Sequence, residues 1–243
     1  MSIQIDGIII AMLEIFIFFG ITITLKDKVL TLKYIDSFSY YWLCFTILTG
    51  IWEFCYIVNY YNINKLSQNL ITNHQHSWTN QYTIEYVLPN KVANIFYAEY
   101  GAWADREYMS DNYWARVIEG THFGLCALSA FIGMISRIEK INRTYIIFVM
   151  LSMGTQLMNS ILYITQYIIQ INDKNSINYP SKEFPAGIML EHRLFMYINI
   201  FWTIMPIAVI CRTIEEKLHE TINETESNQS NQYNSEDVYV LEM

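Results

Sequence analysis

Cationic side chains are few and scattered in this chain: 15 Lys and Arg stand against 23 Asp and Glu, and nowhere do they gather into a stripe. That excludes a nucleic-acid surface. Charge of either sign is scarce, at 16% of residues, while 53% are hydrophobic and mean hydropathy is positive. A soluble surface is thereby excluded over most of the length. Four cysteines, Cys44, Cys55, Cys126 and Cys211, all fall in apolar runs without metal-ligand spacing, and they read as buried thiols. His74 and His76 lack a further ligand at a convincing spacing, so a metal site is rejected. No internal repeat, heptad run or ring of like polar residues appears, which argues against a channel or transporter. The net charge of -8 says little about the core, because much of the acidic excess sits between Glu215 and Glu242.

What the chain does hold is long apolar runs and an aromatic load of 19 Tyr, 13 Phe and 6 Trp, suited to interfacial belts and to a greasy cavity. The run from Gly7 to about Leu25 reaches roughly 20 residues, enough to span a hydrocarbon core of about 30 Å. Met1 to Asp6 carries no Lys or Arg, and no small-residue cleavage site follows, so this segment reads as a retained helix rather than a signal peptide. Further runs predict spans over about 40–61, 113–136, 145–171 and 194–212. The expected fold is an all-α membrane protein: a five-helix domain over 1–214, with a long, partly helical loop between helices two and three. A polar, disordered cytoplasmic tail over 215–243 follows.

Basic residues near the membrane favour the cytoplasmic side. Lys26, Lys28 and Lys33 mark the first connection, Arg137, Lys140 and Arg143 the third, and Arg212 and Lys217 the exit from the last span. These alternate as five spans require, with the N-terminus and the second loop luminal. Sequons at Asn223 and Asn228 then lie on the cytoplasmic side and stay unmodified.

Three acids interrupt the apolar runs: Glu14, Glu53 and Glu119. An acid such as Asp costs about 2.5–3.5 kcal/mol at mid-span, so each needs a reason. Glu14 is expected to face the bundle, paired with a hydroxyl such as that of Thr22 or a tyrosine. A carboxyl group in low dielectric is costly to ionise and can hold and donate a proton, or it can bind a ligand cation; both readings stand for Glu53 and Glu119. Arg116, Glu119 and His122 recur every three residues and share a helix face. They form either one network in which His122 orients or recharges Glu119, or an Arg116–Glu119 pair at the membrane edge. Asn199 and Trp202 share a face of the last span below Pro206, which loosens the backbone. The indole either anchors the helix at the interface or stabilises positive charge by cation–π attraction.

Glu99 and Tyr100, then Asp105, Arg106, Glu107 and Tyr108, and onward Val117, Ile118, Glu119 and Gly120, resemble the EY, D-x-x-Y and V-E-G elements of the emopamil-binding protein family. Glu53, in a span ending at Tyr60 and Tyr61, is similar to that family's second-helix acid. Gln156 to Tyr163 looks like its fourth-helix stretch, and Asn199, Trp202 and Pro206 like N-x-x-W-x-x-x-P of its last helix. The resemblance runs from about Trp42 to Arg212.

This resemblance implies a sterol delta-8,delta-7 isomerase of the endoplasmic reticulum membrane, working without a cofactor through a carbocation that amine drugs mimic. It equally covers relatives that bind a sterol or cationic amphiphile without isomerising it, and members that pair as homodimers. Carried over, Glu53 and Glu119 become the acid and base, Trp202 the cation stabiliser, Asn199 a polar partner, and Asp105 and Tyr108 parts of the cavity lid. Two positions depart from the pattern. Thr49 stands where isomerases carry a histidine one turn before the second-helix acid, and His122, beside Thr121, stands where they carry a threonine. A histidine moved across the cavity is expected to face inward at His122.

Overall fold

Asp36 starts the longest helix by accepting from the amides of Phe38 and Ser39 at 3.0 and 2.9 Å, satisfying two of the donors that open any helix. His74 ends it in the left-handed region at φ 51°, with the amide of Gln75 returning to Leu70 O at 2.9 Å. In this computed structural model residues 4–111, 113–181, 184 and 196–218 are described. Among them the longer helices are α1 (Gly7–Lys28), α2 (Ser37–Asn73), α3 (Pro89–Glu99), α4 (Trp114–Ile138), α5 (Asn142–Gln170) and α6 (Met196–Leu218). Five of them, α1, α2, α4, α5 and α6, are long and apolar enough to cross a membrane. The chain is a multi-pass helical protein.

Burial ranks the helices: the most apolar window of α2 is 56% buried inside the protein and that of α4 50%, against 17% for both α1 and α6. α2 is therefore the central post and α1 and α6 face lipid. Gly50 lets α2 and α4 meet, since a Cβ there would fall 2.1 Å from Cβ of Ala127. Opposite Gly50, α4 widens into a π-helical turn over His122–Ala127.

Several boundaries differ from the sequence reading. α2 does not stop near Tyr61 but continues to Asn73, because Ile63, Ser67 and Leu70 are buried at helical spacing, with Ser67 donating to Ala98 O of α3 at 3.0 Å. A second departure is a two-stranded antiparallel sheet, β1 (Gln4–Asp6) with β2 (Gln81–Thr83). Just after it, the amides of Gly7 and Ile8 donate to the carbonyls of Asn80 and Trp78, both at 3.0 Å. Gly7 lies so close to this loop that a Cβ would sit 2.3 Å from Ser77 O. α6 runs on through Leu218, so 215–218 is helical rather than tail; the remainder of the expected tail, including Asn223 and Asn228, lies outside the described residues. Cys44 and Cys126 are buried, but Cys55 is half-buried and Cys211 exposed on the outer side of α6, so burial does not extend to all four thiols.

The sheet places β1 and the connection after α2 on one face of the bundle. On the opposite face Lys26 reaches Ile35 O and Ser37 at 2.9 and 3.0 Å, Arg212 pairs with Asp36 at 2.9 Å, and Arg137 pairs with Glu216 at 3.3 Å. The basic connections thus gather at one end.

Candidate functional site

In lipid a polar side chain on a helix turns inward, so polar residues at helical spacing mark an interior stripe. On α2 that stripe is Trp42, Thr46, Thr49, Glu53 and Tyr56, all buried, and on α5 it is Ser152, Gln156, Asn159, Ser160 and Tyr163. Between them, bordered by α1, α3, α4 and α6, lies a cavity of about 500 Å³. Its wall is mainly aromatic and aliphatic, with Phe45, Trp52, Phe96, Tyr97, Tyr100, Tyr108, Phe201 and Trp202, and its polar groups include Thr49, Glu53, Glu119, His122, Asn159, Ser160, Tyr163 and Asn199. A small-molecule site is built in this way: an apolar volume with a few placed polar groups.

Glu53 and His122 form a pair across α2 and α4. Nδ1 of His122 lies 2.6 and 2.7 Å from the two carboxylate oxygens of Glu53, and both side chains are buried. Behind His122, its Nε2 faces Nε2 of Gln156 at 3.1 Å, and Gln156 Oε1 accepts from the Trp42 indole at 2.9 Å. Glu119 has a different shell: the phenols of Tyr97, at 3.0 Å, and Tyr108 both donate to it. Burial pushes both phenols well above the ordinary tyrosine range, so they remain donors.

No family model, curated protein or solved structure matches this chain. The site therefore stands on its own geometry.

Of the residues singled out in the sequence, Glu53, Glu119, His122, Thr49, Tyr108, Asn199 and Trp202 all line the cavity. His122 faces inward and bonds Glu53, not Glu119, which it had been expected to orient. Arg116 joins neither: its guanidinium lies over the rings of Tyr60 and Tyr113, 4.3 and 4.6 Å from their centroids, while Glu119 turns to the tyrosines. Asp105 and Thr121 sit behind the wall rather than in it. Asp105 accepts from Tyr163 at 2.5 Å and from Asn178 at 2.7 Å, so it braces a cavity phenol. Thr121 bonds Ile118 O at 2.9 Å and receives Asn159 at 3.3 Å. Glu14 is paired with an indole, not a hydroxyl: Trp52 Nε1 donates to it at 3.0 Å, and Thr22 bonds its own helix at Phe19 O. His76 lies 2.6 Å from Glu99, and His74 caps α2.

Sequence reading missed Trp42, Tyr97 and the role of Gln156. The α2 stripe, with polar and aromatic residues at steps of three and four through an apolar run, was a usable signal for Trp42. Tyr97 gave none, since its meeting with Glu119 depends on how α3 returns against α2 and α4.

Proposed function

We propose that this chain is a sterol delta-8,delta-7 isomerase of the endoplasmic reticulum membrane, with its N-terminus luminal and its C-terminus cytoplasmic, moving a ring double bond without a cofactor. The supporting observation is that two buried carboxylates with different shells, Glu53 on His122 and Glu119 on two phenols, face one apolar cavity. Protonated Glu119 adds its proton to one alkene carbon, the π pair becoming the new C–H bond. The neighbouring carbon carries the positive charge, which the Glu53 carboxylate and the indole of Trp202 stabilise. A C–H bond next to the cation then breaks, its pair forms the shifted double bond, and the proton passes to Glu53. Proton exchange with solvent resets the two acids. General acid–base groups of this kind contribute about 10²–10⁴-fold each.

Complementation of a sterol-isomerase-null yeast, with sterols profiled by mass spectrometry, tests the reading. Delta-8 sterol is expected to disappear with the native chain and to persist with Glu119→Gln at equal membrane abundance. In deuterated medium the product ring gains solvent deuterium.

A second reading draws on Thr49, which faces the cavity where an isomerase carries a histidine. On that reading the chain binds a sterol or cationic amphiphile without turning it over. Persistent delta-8 sterol with the native chain, together with saturable binding of a tertiary-amine amphiphile, would favour it.

A further inference from the structure

Hydrogen-bond donors behind the cavity fix more than position. The Trp42 indole can only donate, so the Gln156 atom that faces it at 2.9 Å is the carbonyl oxygen. The Gln156 NH2 group therefore points the other way. One of its protons meets Oγ1 of Thr46 at 3.4 Å, and the Thr46 hydroxyl has already given its own proton to Trp42 O at 3.0 Å. The other meets Nε2 of His122 at 3.1 Å. Nε2 must accept, which leaves the imidazole proton on Nδ1, where Glu53 receives it.

From this sequence of donors we propose that Trp42 and Gln156 are positioning residues that hold His122 as its neutral Nδ1–H tautomer, so that Glu53 stands ionised beside the cavity and is the proton acceptor. A second proton on Nε2 would set N–H against N–H, and rotating Gln156 to relieve it would set the same conflict against Trp42. Either arrangement strands a buried donor, which costs free energy that a water-exposed histidine does not lose. The titratable groups facing His122 are Glu53 from α2, which its Nδ1 meets directly, and Glu119 from α4, one turn away and protonated on the reading above; the carboxylate of Glu53 draws a proton toward the ring, and the Gln156 amide from α5 opposes a second one. The ligand class that follows is one that is positively charged, or becomes so, close to Glu53, because the pair keeps a full negative charge where an imidazolium–carboxylate pair would be neutral.

The assignment of Glu53 as acceptor rests on the proton-transfer reading above, but the tautomer does not. It is measured on the full chain in nanodiscs, labelled with ¹⁵N-histidine and free of sterol, by long-range proton–nitrogen correlation. His122 is identified by replacing His74, His76, His192 and His219 one at a time with glutamine. At neutral pH, Nδ1 of His122 is expected in the protonated range and Nε2 in the unprotonated range. Gln156→Glu supplies an acceptor at the same place and moves Nε2 into the protonated range, a change that a merely structural role for Gln156 would not produce. A native His122 protonated on Nε2, or a Gln156→Glu spectrum unchanged from native, overturns the proposal. If Gln156→Glu does not fold, the native spectrum decides alone. A chain that isomerises no sterol yet shows the Nδ1–H form keeps the lock and loses only the enzyme.

Discussion

Trp202 meets the rings of Trp42 and Phe45 edge-on, at centroid distances of 4.8 and 5.2 Å, while lining the cavity. It belongs to the wall and to the edge-on aromatic cluster behind it, so truncation and loss of cation–π attraction have to be separated. For a tertiary-amine amphiphile, Trp202→Leu is expected to weaken binding by about 0.5–2 kcal/mol, roughly 2- to 30-fold. A neutral ligand of the same shape is expected to lose much less. Competition binding in detergent with the charged and neutral pair checks this; equal losses would reduce Trp202 to packing. At this scale the acids were legible because a carboxylate in an apolar run is expensive enough to stand out. Their partners were not, since Tyr97 and Gln156 are ordinary residues until the fold brings them to Glu119 and His122.

Among elements, α2 has the most visible start. Burial opposes charge on Asp36, but bonds from Ser39 and Phe38 and the nearby Arg212 outweigh it and hold the carboxyl below its ordinary range. A depressed folded-state value means that the stabilisation is fully present above the unfolded value of about 3.9 and fades as pH falls through the folded one. Asn caps as well as Asp but does not titrate. Asp36→Asn is therefore expected to flatten the loss of thermal stability below about pH 4, whereas Asp36→Ala costs about 0.5–2 kcal/mol already at pH 7. Thermal unfolding in detergent across pH 3–7, an interval set by that unfolded value, compares the three chains. Parallel acid branches in native and Asp36→Asn proteins would remove Asp36 from the pH response. Span existence was readable from apolar length alone. The π-helical turn at His122–Ala127 was not, because the sequence carries no mark of the extra residue that it accommodates.

For the molecule as a whole, α2 decides how far the protein rises from the bilayer. Its 37 residues extend about 55 Å, against a hydrocarbon core of about 30 Å. The segment beyond Tyr61, with α3, β1 and β2, stands at the end opposite the basic connections. The native sequons at Asn142, within the third connection, and at Asn223 and Asn228, after the last span, fall on the side proposed as cytoplasmic. Asn73 and Gln75 are exposed at the far tip of α2, and Gln75→Thr completes an Asn-x-Thr sequon there without touching a buried side chain. In microsomes the native chain is expected to carry no glycan, and Gln75→Thr to gain one that a glycosidase removes. Modification of the native chain, with none added by Gln75→Thr, would invert the topology and put the α2 tip in the cytoplasm. The cavity lies between the helices and beneath that tip in either case, so the result fixes which compartment the tip side of the site faces.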